Sequence, residues 1–331
     1  MKQAQKSSGA GQGRIRTGAC WDMLREAILR AVPCGTGSRS STIEGLEFHS
    51  QMHAAGPWPR FYSPVAILVA QGSKSVRIGT QETLCGEGTC FICGVDMPVA
   101  SCALQASAGK PYLSLSLRLD PVLLGSLASV IPPAGPRGGC ACGAMAQEAG
   151  EDLLDAFVRL VRLEARPDLL PALSGPVRQE IHALLLAGSF GETLRPLVAP
   201  GTEANRIAGA IGWLKAHYAQ QLDIRALAGI SCMARSTFHK HFKAVTAVSP
   251  LQYQKRLRLG EARRLLLEEH SDVAQAAAAV GYKSATQFIR EYKRLYGEPP
   301  RQSLRRLQDS FFGMSRRFPP QEKDSEENHS R

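Results

Sequence analysis

The chain has 331 residues, of which 44% are hydrophobic, and a formal net charge of +11. No apolar segment is long enough to span a bilayer and no signal peptide is evident, so we expect a cytoplasmic protein without a membrane partner. The excess positive charge is confined to one block. The segment from Arg206 to Leu307 contains 18 Lys and Arg against 7 Asp and Glu, while the rest of the chain has 22 of each. A basic field limited to one third of a chain indicates a module that binds a polyphosphate, and it excludes a generally basic surface.

The first 41 residues are predicted to form a flexible segment. Residues 1–19 are polar and rich in Gly and Ser, a composition that cannot supply a core. The stretch from Trp21 to Val32 has amphipathic spacing and is the one short helix predicted there. The tail at residues 309–331 is charged and poor in apolar residues, so it is predicted to be disordered.

Alternating apolar and polar residues predict β-strands between Thr42 and Leu119. An apolar run from Val65 to Val69 ends at a Gln-Gly-Ser turn, and Leu alternates with polar residues from Leu113 to Asp120. Several such strands with Gly-containing turns are typical of a small antiparallel jelly-roll barrel of the cupin type. Helices are predicted to follow at Glu148 to Ala165 and at Pro176 to Ala187.

A catalytic metal is one alternative for such a barrel, but the sequence lacks the ligand pattern. His49 and His53 have the spacing of a zinc pair, yet they precede the first clear strand and have no third ligand. We therefore predict no catalytic residue, metal or cofactor, and no enzyme activity. A barrel mouth lined by apolar side chains and a few polar groups suits a small regulatory effector better.

Two close pairs of cysteines suggest a different mode of control. Cys90 and Cys93 are separated by two residues, and Cys140 and Cys142 by one, in Gly-rich surroundings. These four residues would form a thiol sensor for oxidants or electrophiles, or a metal clip. The alternative is that they are small buried hydrophobic residues in a reducing compartment. Thiolate pKa and mutual distance decide between the two, and neither follows from sequence.

Two tandem helix-turn-helix patterns lie between Asp223 and Leu307. The stretch Phe238 to Lys243 is repeated fifty positions later by Phe288 to Lys293. In each copy an Asp, Asp223 or Asp272, precedes an Ala-rich helix, and the second helix alternates apolar anchors with basic or amide side chains. A recognition helix needs this arrangement, because one face packs in its own domain and the other offers donors to base edges in the major groove.

The same spacing predicts the helices around these motifs. A bracing helix should begin after an N-cap at Asn205 and run to about Gln220. A connecting helix should cover Leu251 to Glu269, with these apolar residues buried: Leu257, Leu259, Ala262, Leu265 and Leu266. The inward anchors of the two recognition helices are predicted to be Phe238, Phe242, Val245, Phe288, Tyr292 and Leu295.

Further motifs in this block carry a family resemblance. They are Phe238 to Thr246, Ser249 to Leu259, Glu261 to Leu267, Val280 to Tyr282 and Gln287 with Phe288. Together they closely resemble the DNA-binding domain of AraC/XylS-type transcriptional regulators, which implies double-stranded DNA as the partner. The resemblance places base-reading residues at Ser236, His239 and Lys240 and phosphate contacts at Arg235 and Lys243.

In the second unit, base-reading is predicted from position and chemistry. Thr286, Gln287 and Arg290 fall on the exposed N-terminal half of the recognition helix, and the Arg290 fork can bond guanine at two atoms. Phosphate binding is an equally common role for such an Arg. Lys283 and Lys293 are predicted phosphate contacts.

The N-terminal half carries a weaker resemblance. Ala70 to Lys74, Val95 to Val99 and Lys110 to Leu113 resemble the sensor domain of one AraC-type subfamily. The predicted fold is thus α+β, with an antiparallel cupin-like barrel plus helices and a C-terminal all-α tandem helix-turn-helix domain. The predicted domains are an effector-sensing and dimerisation domain at 42–198, a linker at 199–205 and a DNA-binding domain at 206–308. In the family the sensor helices form a dimer interface; packing within the domain is the alternative.

The sequence predicts a sequence-specific DNA-binding transcriptional regulator controlled by a small effector in the barrel, with RNA polymerase as a further partner. Alternatives are a thiol- or electrophile-responsive regulator and an architectural DNA binder, although the latter leaves the barrel without a role. A DNA-alkyl-damage sensor would require a Pro-Cys-His-Arg motif, which is absent.

Two residues depart from the family pattern. Ala247 stands where Gly is usual, and it is strained if it adopts the positive φ of a helix C-terminus. Ala276 stands where Ile is usual, so the core of the second unit is expected to be underfilled.

Overall fold

The computed structural model describes residues 6–33, 37–54, 56–133, 142–269 and 271–305. The chain divides into two compact units, Met1–Leu257 and Arg258–Arg331. The first unit contains two β-sheets, the helices that cover one of them and the first helix-turn-helix. The second unit contains the second helix-turn-helix. The predicted tail at 309–331 lies outside the described residues.

The described strands form two antiparallel sheets. They are β1 (Gly37–Ser40), β2 (Leu46–Gln51), β3 (Trp58–Tyr62), β4 (Val65–Gln71), β5 (Ser73–Ile78), β6 (Gln81–Gly86), β7 (Thr89–Cys93), β8 (Met97–Gln105), β9 (Tyr112–Arg118) and β10 (Ala144–Glu148). The larger sheet has the order β1-β2-β9-β4-β7-β10, and the smaller has the order β3-β8-β5-β6.

Strand β9 shows how the larger sheet separates two interiors. Successive side chains of a strand point to opposite faces, so Leu113, Leu115 and Leu117 enter the apolar core beneath the covering helices. Ser114 and Ser116 point to the other face, where they line a cavity between the sheets. The alternation predicted for this segment is therefore confirmed, and both of its faces are buried.

The predicted α+β fold class is confirmed, but the barrel is not closed. Strand β2 pairs with β9, and β3 pairs with β8, so the chain crosses from one sheet to the other between them. No pairing among the described strands joins the two sheets. They form a sandwich of antiparallel sheets, so the predicted cupin-like jelly-roll is present as two sheets and not as a closed barrel.

Eight helices of the first unit are described. They are α1 (Lys6–Ala31), α2 (Pro121–Val130), α3 (Glu151–Arg162), α4 (Leu170–Ala187), α5 (Gly191–Val198), α6 (Glu203–Ala216), α7 (Ile224–Ile230) and α8 (Arg235–Thr246). Helices α1 to α5 contribute side chains to the core on the outer face of the larger sheet.

Helix α1 is longer than predicted, and its second half belongs to the core. Leu24 and Ile28 are fully buried, and Arg25 donates to the Ala70 carbonyl at 2.9 Å and pairs with Glu87. The short helix predicted at residues 21–32 is therefore present as the second half of α1, and the segment before it, which was predicted to be flexible, is helical from Lys6 onward. The sequence indicated only a short helix, because Gly has low helix propensity and interrupts the stretch before Trp21.

Helices α3 and α4 confirm the two predicted sensor helices, although α4 begins earlier than Pro176. Pro171 occupies the first turn of α4 instead, where a missing N–H costs nothing. Arg159 of α3 donates two hydrogen bonds to Glu180 of α4, at 2.6 and 2.7 Å. The apolar stripe of α3 is buried within this chain, which is the intradomain alternative to a dimer interface.

The bracing helix α6 begins at Glu203, within the predicted linker at 199–205. Its N-cap is Thr202, whose hydroxyl accepts from the Asn205 N–H at 3.1 Å. Asn205 is therefore not the cap, and its amide donates to the Leu197 carbonyl at 2.9 Å. The helix ends at Ala216 and not near Gln220, and its predicted apolar stripe is buried.

The predicted linker does not separate compact units. One apolar cluster contains Phe91 and Met97 of the sheets together with Phe238 and Phe242 of α8. The first helix-turn-helix thus packs on the N-terminal domain, because the apolar sides of α6 and α8 need a partner surface and the sheets supply one. The boundary between compact units falls after Leu257.

The remaining helices are α9 (Pro250–Glu268), α10 (Val273–Ala279) and α11 (Ala285–Tyr296), and residues 300–305 are also helical. Helix α9 confirms the predicted connecting helix. Leu259, Ala262 and Leu266 are buried as predicted. Leu257 and Leu265 are only half-buried, so their predicted burial is wrong.

Candidate functional site

The first recognition helix, α8, has an apolar face and a basic face. Phe238 and Phe242 are fully buried with ring centroids 5.5 Å apart. The ion pair of α8 in the described part of the chain joins His241 to Glu203 at 3.1 Å, so it leaves the lysines of the helix available for phosphates. The residues predicted to contact DNA are all exposed: Arg235, Ser236, His239, Lys240 and Lys243.

The second recognition helix, α11, repeats this pattern. Ser284 caps it by accepting from the Gln287 N–H at 3.3 Å. Gln287 also donates to Glu291 at 3.4 Å, which orients its amide along the helix. The residues predicted to contact DNA are exposed: Lys283, Thr286, Gln287, Arg290 and Lys293.

One predicted anchor of α11 is wrong by a single residue. Leu295 is only half-buried, and Tyr296 is the third buried side chain after Phe288 and Tyr292. Its ring centroid lies 4.5 Å from that of Tyr292, and the Arg263 guanidinium lies 4.9 Å from its ring. Steps of four residues from Phe288 reach Tyr296, and such steps keep side chains on one helix face.

Both helix-turn-helix units contain a turn with a positive φ. Asp223 and Asp272 cap α7 and α10 as predicted, each accepting two backbone N–H groups. The turn that follows requires a positive φ, which Gly281 supplies at 85° in the second copy. In the first copy Cys232 occupies the equivalent place with a φ of 50°, a conformation that costs a residue with a Cβ atom about 1–2 kcal/mol.

Ala247 adopts the left-handed conformation predicted from the family pattern. Its φ is 59°, and its N–H donates to the Lys243 carbonyl at 2.8 Å. Gly297 ends α11 in the same way with a φ of 81°. The turn after β5 abuts Ala247, because a Cβ atom on Gly79 would lie 2.8 Å from the Ala247 Cβ.

Tyr253 connects the first helix-turn-helix with the N-terminal domain. Its hydroxyl donates to the Asp96 carbonyl at 2.8 Å, and the Asp96 carboxylate pairs with Lys215 at 2.6 Å. Burial raises the pKa of Tyr253, so it remains a neutral donor. Its ring makes edge contacts with Phe61 at 5.5 Å and with Phe242 at 5.4 Å.

A cavity of about 600 Å³ opens between the two sheets. This volume is in the range of small-molecule sites. Its apolar wall contains Trp58, Phe61, Val65, Ile67 and Ala103, and its polar groups come mainly from β2, β5 and β9. These polar residues are Glu47, His49, Lys74, Tyr112, Ser114, Ser116 and Arg118.

His49 lies on β2 and not before the first strand, which corrects the prediction. Its two ring nitrogens lie 2.7 Å from the Ser38 hydroxyl and 2.8 Å from the Ser116 hydroxyl. Burial, together with the Lys74 and Arg60 cations, lowers its pKa from 6.5 to about 4. His49 is therefore a neutral part of the cavity wall, and His53 is exposed.

Cys90 and Cys93 do not have the placement that a thiol sensor requires. Cys90 and Cys93 are fully buried and belong to different apolar clusters on opposite faces of β7, so they cannot pair. Burial raises the pKa of Cys90 to about 12 and also raises that of Cys93, which suppresses the reactive thiolate. Cys142 is half-buried, and Cys140 lies outside the described residues.

Within the described residues, no group of three or more His, Cys, Asp or Glu could hold a metal ion. The helices described here also include none with the length and apolar character of a membrane span. The cavity and the two recognition helices are the candidate functional sites among the described residues.

Comparison with known proteins identifies the family. Residues 42–193 match the family described as AraC-type transcriptional regulator N-terminus, and residues 227–306 match a helix-turn-helix domain family. The chain belongs to the AraC-type transcriptional regulators. This AraC-type chain therefore carries both of the domains that the sequence resemblance implied.

Individual relatives of this AraC-type chain are similar to it over part of its length. The transcriptional activator RhaS of Pectobacterium carotovorum is 30% identical over 105 residues, which cover 32% of this chain and 37% of RhaS. The probable regulator LumQ of Photobacterium leiognathi is 26% identical over 147 residues, 42% of this chain and 59% of LumQ. The matches thus span well under two thirds of these relatives.

One solved structure shares the fold over most of the AraC-type chain. ToxT from Vibrio cholerae O395 aligns with a TM-score of 0.51 and 10% identity, covering 79% of this chain and 97% of ToxT. At this identity the likeness concerns the fold alone.

Proposed function

We propose that this protein is a sequence-specific DNA-binding transcriptional regulator whose DNA contacts are controlled by a small molecule in the cavity between the sheets. The observation that carries the proposal is a chain of ring contacts. Phe61 lines the cavity and touches Tyr253, which in turn touches Phe242 on the buried side of α8. A molecule that displaces Phe61 therefore acts on the packing of a recognition helix, because packed cores pass small shifts to their neighbours.

The proposed DNA contacts divide into two classes. Ser236, His239 and Lys240 on α8 read base edges, as do Thr286, Gln287 and Arg290 on α11. Arg235, Lys243, Lys283 and Lys293 contact phosphates, which position the protein without reading sequence. Their exposure, and the aromatic anchors that hold the opposite face of each helix, support this division.

RNA polymerase and a second copy of the chain are the further partners that we propose. The RhaS relatives carry the name of transcriptional activators, and activation requires contact with the transcription machinery. The apolar stripe of α3 is used within the chain, so self-association would need a different surface.

The test begins with the full-length protein and genomic DNA fragments. Bound fragments are selected, and a common motif is placed before a reporter gene. Ala103→Phe then fills the cavity, while Leu104→Phe adds an aromatic ring at the exposed neighbouring position of β8. We expect Ala103→Phe to change reporter output several-fold and Leu104→Phe to leave it unchanged.

Two outcomes would contradict the proposal. Selected fragments without a common motif would indicate an architectural DNA binder. A folded Ala103→Phe variant, verified by its thermal transition, with wild-type reporter output would show that the cavity does not control transcription.

A further inference from the structure

The cavity contains a lysine without an acidic partner. Lys74 lies on β5 and points between the sheets, where its ammonium is 5.1 Å from the ring centroid of Tyr62. No carboxylate in the described part of the chain forms an ion pair with it, whereas another lysine, Lys215, pairs with Asp96 at 2.6 Å. A largely buried ammonium normally requires a paired anion.

A second donor faces the same space. The Tyr112 hydroxyl is buried and has no hydrogen-bond partner of good geometry among the described residues. Burial raises the pKa of Tyr112 and outweighs the opposite effects of the Lys74 ammonium and of Ser114, so the phenol keeps its proton. A buried hydroxyl without a partner is destabilising, and a ligand that accepts a hydrogen bond from it removes this cost.

The charged side chains of the cavity wall are mostly positive, like Lys74. Arg60 and Arg118 line the cavity along with Lys74, and Glu47 is the single carboxylate among its described lining residues. Glu47 lies 4.0 Å from His49 and is half-exposed. The electrostatic field inside the cavity is therefore positive, which favours an anionic occupant.

We propose that the cavity binds an organic monocarboxylate, whose carboxylate accepts hydrogen bonds from Lys74 and Tyr112 and whose apolar body contacts Trp58, Phe61 and Ile67. One ammonium and one phenol match the two oxygens of a carboxylate. The inference rests on the proposed function and names the chemical class of the effector.

The experiment measures binding to the full-length protein by isothermal titration calorimetry. The probes are octanoate and 3-phenylpropionate, each compared with its primary amide, together with phenyl phosphate. The variant Lys74→Met keeps the side-chain length and removes the charge. Arg77→Met removes a charge from the exposed face of the same strand and is the matched control.

We expect the carboxylates to bind about 10- to 100-fold more tightly than their amides, as a charge-assisted hydrogen bond predicts. Lys74→Met should remove this difference and Arg77→Met should preserve it. A stronger octanoate signal would indicate an aliphatic effector, and a stronger 3-phenylpropionate signal an aromatic one.

Four outcomes would overturn the monocarboxylate assignment. The acids and their amides bind equally well, phenyl phosphate binds more tightly than the acids, Lys74→Met leaves binding unchanged, or neither acid binds. None of these outcomes bears on cavity control itself, because the Ala103→Phe reporter test detects such control without any ligand. The two failures can thus be told apart.

Discussion

The hydroxyl of Tyr253 donates a hydrogen bond to the backbone carbonyl of Asp96 at 2.8 Å, between residues 157 positions apart. The same Asp96 binds Lys215 and Ser63 through its side chain, at 2.6 and 3.0 Å. Asp96 therefore holds α6 and α9, the helices on either side of the first helix-turn-helix, on the N-terminal domain. Replacing Tyr253 or Lys215 therefore measures how much each contact contributes to holding the first helix-turn-helix on the N-terminal domain.

Removing the Tyr253 hydroxyl should weaken that attachment. Tyr253→Phe keeps the ring contacts and leaves the Asp96 carbonyl without its donor, so we expect a loss of about 1–2 kcal/mol in the free energy of unfolding. Urea denaturation measures it. Lys215→Met removes a half-exposed ion pair and should cost less than about 1 kcal/mol; a larger loss for Lys215→Met than for Tyr253→Phe would contradict this ranking.

Replacing Ala247 by Gly should stabilise the first helix-turn-helix. At a φ of 59° the Cβ atom costs about 1–2 kcal/mol, and Gly has no such penalty. Because Gly also loses more backbone freedom on folding, we expect a net gain of about 1 kcal/mol by thermal unfolding. Ala244→Gly inside α8 is the control and should destabilise by about 0.5–1 kcal/mol; a loss at both positions would show that Ala247 is not strained.

Replacing Arg290 and replacing Lys243 should affect DNA binding in different ways. Arg290→Ala should cost about 1–3 kcal/mol on the selected operator and relax preference at one or two base positions. Lys243→Ala should weaken binding to all sequences alike and reduce the salt slope by about one unit. Binding to operator and scrambled DNA at several salt concentrations separates these roles. Equal losses on both DNAs for Arg290→Ala would make it a phosphate contact.

His49 should make stability depend on pH between about 4 and 6.5. Its folded-state pKa of about 4 lies below its ordinary value of 6.5, so the unfolded chain binds the proton more tightly in this window. The stabilisation is complete above pH 6.5 and is lost as the pH falls toward 4, amounting to at most about 3 kcal/mol.

The control for this prediction is His49→Gln, which cannot titrate. The difference in unfolding free energy between wild type and variant should shrink as the pH falls, although Glu47 at 4.0 Å partly favours the charged ring. A difference that stays constant from pH 7 to 4 would show that the folded state does not shift His49.

Thiol labelling of the native protein should distinguish exposed from buried cysteines. Cys232 is exposed in the turn before α8, so we expect it to react with iodoacetamide under native conditions. Cys90 and Cys93 should react only after denaturation, because burial raises their pKa values and blocks access. Peptide mass spectrometry reports each site, and native labelling of Cys90 would revive the thiol-sensor alternative.

Local patterns in the sequence predicted the helix-turn-helix well, for a physical reason. Phe238 and Phe242 are one helical turn apart, and Asp223 and Asp272 cap the helices directly after them, so neighbouring residues determine both features. The error at Leu295 concerned only which of two adjacent apolar residues faces the core.

The cavity and the attachment of α8 depend on contacts that no local pattern reports. Lys74 faces the space between two sheets because of how β5 and β9 are paired with other strands. The bond from Tyr253 to Asp96 joins segments that lie far apart in sequence. Tertiary structure also determines that Thr202 and not Asn205 caps α6, because the Asn205 amide donates its hydrogen bond to the Leu197 carbonyl instead.

The contact between Gly79 and Ala247 provides a steric control over the docking of the first helix-turn-helix. The turn after β5 and the end of α8 approach so closely that neither leaves space for one additional methyl group. A single larger side chain at Gly79 would act as a steric block between this turn and the end of α8, and at a φ of 59° it would also strain the turn. Docking of α8 could thus be varied by one methyl group at a time, independently of any ligand.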